Sequence, residues 1–105
     1  MNDLKALKNL IKTLVATELN PNDTVSANSF TINPVSLAIG LKGDGCVQES
    51  VQRYEVDFFF KQKGEVMAKA VALSKLLSEY IIGDVYLSWE QNVLLWRGMF
   101  TVEII

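Results

Sequence analysis

The chain has 105 residues, half of them apolar, with a formal net charge of -2 and a pI near 5.0. That length makes a single domain, 1–105, able to bury roughly two-thirds of its unfolded surface, and the acidic balance argues against a basic nucleic-acid footprint. Histidine is absent and Cys46 is the single cysteine, which removes His-dependent triads, the commonest zinc ligand and any intrachain disulfide.

No stretch is long and apolar enough to span a bilayer. Met1 to Leu19 carries lysines along its length and lacks the apolar centre of a signal peptide, so a cytosolic protein is expected.

A first helix is expected from Asn2 to Leu19. Leu4, Leu7, Ile11, Leu14 and Val15 form its apolar face, and Lys5, Lys8 and Lys12 gather on another. Asp3 favours its N-terminal end electrostatically, and Asn20-Pro21 stops it. The lysines read as a solvated face or as a docking surface for an acidic neighbour. A polar turn-forming loop, Asn20 to Ser29, follows.

A strand comes next, with a change of parity. Phe30 and Ile32 share one face, while Val35, Leu37, Ile39 and Leu41 share the other, which predicts a bulge or edge-strand bend at Asn33-Pro34. Gly40 to Gly45 reads as a hairpin tip. It lacks the spacing, and the Ser or Thr after the lysine, of a phosphate-binding loop. Cys46 beside it has no histidine to activate it and reads as a structural or incidental thiol.

The long strand from Val47 to Lys61 puts Tyr54, Val56, Phe58 and Phe60 toward the core and Arg53, Glu55, Asp57 and Phe59 on the other side. Phe59 points with the charges, as the cover of a second small core or as an interface anchor. Glu55 and Asp57 share a face, but opposite-charge pairing with Arg53, Arg97 or a lysine explains them without chemistry. No catalytic, metal-binding or cofactor-binding residue is assigned.

A second helix, Lys63 to Tyr80, buries Val66, Ala70, Leu73, Leu77 and Tyr80, and its alanines let it approach the sheet closely. After Gly83-Asp84, a strand at Val85 to Trp89 and a last strand carrying Leu94, Trp96, Phe100, Val102 and Ile104 on its core face form a hairpin. The expected fold is α+β: a four-stranded antiparallel sheet in the order α-β-β-α-β-β, with both helices on one face. Arg53, Glu55, Asp57, Phe59, Arg97, Met99 and Glu103 then share the other face. They form a candidate subunit contact that selects its partner by electrostatic fit.

The runs Arg53 to Lys61, Gly64 to Ala70 and Trp96 to Glu103 together resemble small phage tail-terminator or minor capsid proteins. In that family a strand bearing a Y-x-V-D pattern leads into an alanine-rich helix, and an aromatic-Arg strand closes the domain. The resemblance implies a non-enzymatic structural protein without cofactors. Such a protein forms a homo-oligomeric ring, commonly of six copies, that terminates the tail tube and joins it to the head. Tail-tube and head–tail connector proteins are the implied partners, and the virion the implied location, with assembly in the host cytoplasm. DNA passes through without specific binding, for which an acidic chain is suited. An adaptor of a tail-like particle encoded by a host genome has the same mechanical task. Two other classes stay open: a small-molecule-binding domain with a pocket between helices and sheet lined by Tyr54, Tyr80, Tyr86 and Trp96, and an enzyme using Glu55, Asp57 and Lys61. On the assembly reading, Phe59→Asp or Arg97→Glu impairs assembly and leaves the monomer folded.

Overall fold

A computed structural model describes residues 4–41 and 47–104, with side chains described outside 36–50. The elements run α1 (Leu4–Lys12), β1 (Thr17–Glu18), β2 (Ser29–Leu41), β3 (Val47–Phe60), α2 (Lys63–Leu76), β4 (Ile81–Glu90) and β5 (Leu95–Ile104). The class is α+β, but the sheet has five strands in the order β1-β2-β3-β5-β4, and β1 runs parallel to β2. This corrects the expected four-stranded, wholly antiparallel sheet and the α-β-β-α-β-β order.

The extra strand comes from the early end of the first helix, which stops at Lys12 rather than Leu19. The Thr13 hydroxyl donates to the Leu10 carbonyl at 2.6 Å, a local bond that competes with helix continuation. From Ala16 the backbone is taken up by its neighbour. The Ala16 N–H donates to Asn28 Oδ1 at 3.1 Å, the Thr17 N–H to the Asn28 carbonyl at 3.3 Å and the Leu19 N–H to the Phe30 carbonyl at 2.8 Å. Two residues are too few to show a strand period. Asp3 lies outside the described residues, as do Cys46 and most of the Gly40 to Gly45 tip.

The parity change in β2 is a bulge. Pro34 pairs with Tyr54 and Ser36 with Arg53, so Val35 is the extra residue, and it is exposed. In β4 the register shifts between Ile82 and Tyr86 around Gly83, whose φ of 75° suits glycine. Leu94, expected on the core face, lies in the turn before β5 with φ 55° and 62% exposure.

One core holds the molecule together. Leu7, Ile11 and Val15 from the N-terminal segment, Val66, Leu73, Leu77 and Tyr80 from α2 and its end, and Phe30, Val56, Phe58, Phe60, Phe100, Val102 and Ile104 from the sheet form one cluster. Both helices therefore cover the same face. At the end of that face Trp89 and Trp96 meet across β4 and β5 with ring centroids 5.6 Å apart, and the Lys63 ammonium lies 5.4 Å from the Trp96 ring. Among the described residues no helix is long and apolar enough to cross a membrane.

Candidate functional site

The uncovered face of the sheet carries the candidate residues. Strand pairing sets Arg53 opposite Glu103, Glu55 opposite Thr101, Asp57 opposite Met99 and Phe59 opposite Arg97. Tyr86 and Ser88 of β4 continue the rows beyond Met99 and Arg97. Period-two alternation along β3 and β5 thus brings all seven expected residues to one face.

Arg97 is the hub. Its Nε donates to Asp57 Oδ1 at 2.7 Å, and its terminal nitrogens lie 2.6 Å from Asp57, 3.6 Å from Glu55 and 3.5 Å from Glu90. The same guanidinium lies 3.6 Å from the Met99 sulfur. Arg53 pairs separately with Glu103 at 2.8 Å. Glu90 was absent from the expected set. It sits at the far end of a strand whose length the Gly83 bulge obscures, and only the β4–β5 pairing puts it beside Arg97.

Asp57 is 6% exposed. Burial pushes its carboxyl up to about 6, against the opposing pull of the Arg97 guanidinium and with a further upward push from Glu55. Arg97 is itself raised. Its desolvation works the other way, but the hydrogen bond and charge of Asp57 outweigh that, helped by Glu90. The result is one guanidinium shared by three carboxylates, an arrangement that orders side chains. Among the described residues no group of three His, Cys, Asp or Glu side chains is placed to hold a metal ion.

Phe59 is 7% exposed and lies outside the main cluster. It lines a shallow pocket of about 300 Å³ with Val25, Asp57, Glu90, Asn92, Val93 and Arg97. The chain itself covers this ring, as the cover of a second small core would be. A protruding anchor would be open to solvent. The expectation that Phe59→Asp and Arg97→Glu leave the monomer folded therefore changes. The first puts a carboxylate into a covered apolar site, and the second removes the counter-charge of buried Asp57 and adds another acid beside it.

The four aromatic residues of the small-molecule reading do not converge. Tyr80 belongs to the main core, with Tyr54 and Trp96 packed against it, while Tyr86 is 60% exposed on the opposite face beside Met99. Lys61 follows β3 and is exposed, and Glu55 and Asp57 are both held by Arg97.

The α1 lysines have a partner that the sequence did not reveal. Lys8 and Lys12 lie 2.9 and 3.5 Å from Glu18, and the Lys8 hydrogen bond holds the Glu18 carboxyl below its usual range. This ties α1 to β1. In comparison with known proteins, the chain matches no protein-family model and no curated protein.

Proposed function

We propose that this chain is a non-enzymatic structural protein of a phage, prophage or tail-like particle. Copies of it form a ring that terminates the tail tube and joins it to the head. The observation that carries the assembly reading is the uncovered sheet face. There Arg53, Glu55, Arg97, Met99 and Glu103 stand half-exposed in a fixed array of mixed charge, bordered by exposed Ile82 and Tyr86. Such a surface matches a polar contact whose register is selected by charge.

The tail-terminator part rests on the resemblance in β3, α2 and β5, which together build the centre of the sheet and the helix on it. On this reading tail-tube and head–tail connector proteins are the partners, DNA passes without specific binding, and the site of action is the virion. Phe59, cross-strand partner of Arg97 and lining one pocket with it and Asp57, belongs to the base of this contact.

Sedimentation velocity over a wide concentration range, with and without magnesium, tests this function. A discrete species of about six subunits is expected, by analogy with closed cyclic oligomers. A strict monomer at every concentration overturns spontaneous ring formation.

A further inference from the structure

We propose that successive copies of this chain join edge to edge into one continuous antiparallel sheet. In that sheet β4 of one copy pairs with the part of β2 beyond Phe30 in the next. The inference rests on the self-assembly reading above and names the surface that carries it.

Among the described residues neither edge of the sheet has a full-length outer strand. β4 has β5 on one side, and among the described residues no strand lies on its other side. At the opposite edge β1 pairs only with Ser29 and Phe30; among the described residues Thr31 to Leu41 has no second strand, with loop residues between Leu19 and Val25 lining a pocket beside Thr31 to Asn33. The free part of β2 is thus slightly longer than the ten residues of β4. Unpaired edges are usually guarded by lysine, proline or brevity. β4 has no lysine or proline and is not short, and β2 carries no charge; the guards present are Pro34 and the Val35 bulge in β2 and Asp84 and the Gly83 irregularity in β4, which leave Ser36 to Gly40 and Tyr86 to Glu90 as regular edge. Large apolar side chains stand exposed along and just after β4: Ile82, Tyr86, Leu87, Trp89, Val93 and Leu94.

Strand direction favours this pairing. β2, β3, β5 and β4 alternate in direction across the sheet. When copies are placed in the same orientation, β4 of one therefore runs antiparallel to β2 of the next, and the alternation continues across the seam. A two-fold pairing of β4 with β4 is also antiparallel. It would gather Asp84 and Glu90 from both copies on one seam with no basic residue on either strand, and like charges across a ladder repel. It would also leave both β2 edges open. Head-to-tail pairing sets those acids against an uncharged strand and uses both edges of every copy, the arrangement that closes into rings.

The β2–β3 hairpin supports the same conclusion. Among the described residues β5 reaches only to Gln52, so the paired stretches Ala38–Leu41 and Val47–Val51 extend beyond it as a two-stranded arm. Two strands alone are marginal in water, and a neighbour's β4 supplies a third.

The test uses two full-length chains, both carrying Cys46→Ser. One carries Ser88→Cys on β4 and the other Asn33→Cys on β2, both exposed positions on the uncovered face. They are mixed equally, oxidised gently and resolved on a non-reducing gel, and the measurement is repeated with Thr31→Cys in place of Asn33→Cys to sample the register. Mixed disulfides well above the statistical share are expected, and Leu87→Lys, placing a charge at the edge, weakens association about tenfold. Predominance of the disulfide between two Ser88→Cys chains means a two-fold contact and overturns the proposal. Association of the unmodified chain with only statistical cross-linking and no effect of Leu87→Lys overturns the edge pairing and leaves the ring reading standing. A strict monomer overturns both.

Discussion

The ring of Phe58 occupies the space that a side chain at Gly98, its cross-strand partner, would fill. A Cβ at Gly98 would lie far inside van der Waals contact of Phe58 Cζ, so the glycine is required by close packing rather than by an unusual backbone angle. This pairing lets three aromatic rings share the centre of the core, with Phe58 at 6.5 Å from Phe60 and 6.0 Å from Phe100.

Gly98→Ala is therefore expected to destabilise the fold by about 1–3 kcal/mol through overpacking. Phe58→Leu in the same chain makes room for the methyl group. The two changes together should cost less than the sum of their separate effects in urea denaturation. Additive costs would refute the contact.

Asp57 makes stability depend on pH. Its folded carboxyl titrates near 6, above the 3.8 of an ordinary aspartate, so the native state binds this proton more tightly than the unfolded chain does. Ionisation thus costs native stability. The cost is absent below pH about 4, grows through the interval and is complete above about 6, reaching about 3 kcal/mol. Asp57→Asn removes it. The stability of that variant relative to wild type should rise by about that amount between pH 4 and 7. Parallel pH profiles would show that Asp57 does not titrate in this window.

Arg97→Met leaves Asp57 buried without its counter-charge. Truncating one partner of a buried pair is costly, but the Arg97 side chain is 31% exposed and Asp57, already titrating near 6, takes up a proton instead of staying charged, so the pH-dependent loss at pH 7 is limited to about 1.5 kcal/mol. The deficit should shrink toward pH 4, where Asp57 takes up a proton. Thermal or urea denaturation at the two pH values separates this from a plain packing loss, which would not change with pH.

Leu94 is strained where it stands. A leucine at φ 55° pays a steric cost that asparagine or glycine largely avoids, and its exposed side chain has little burial to lose. Leu94→Asn is expected to stabilise the chain by about 0.5–1 kcal/mol. A lower urea midpoint would show that Leu94 makes contacts that outweigh the strain. Asn28, at φ 57°, already has the residue type that tolerates this conformation, and its side chain accepts the Ala16 N–H.

Local alternation determined much of this protein from sequence alone. Tyr54, Val56, Phe58 and Phe60 face the core while Arg53, Glu55 and Asp57 face away, because a strand cannot put neighbours on the same side. Val66, Leu73 and Leu77 are buried at helical spacing, and the parity change beside Pro34 is a bulge. Tertiary structure alone decided that Thr17 and Glu18 form a strand, since two residues have no period and gain their hydrogen bonds from β2. It also decided that Phe59 is only 7% exposed despite lying among charges, in a pocket whose wall includes Val25 and Val93 from distant loops. The placement of Glu90 beside Arg97, and of Gly98 under Phe58, came from the pairing of β5 between β3 and β4. Sequence patterns report which face of an element a side chain takes. The opposing side chain is set by register between distant strands, and no local period encodes it.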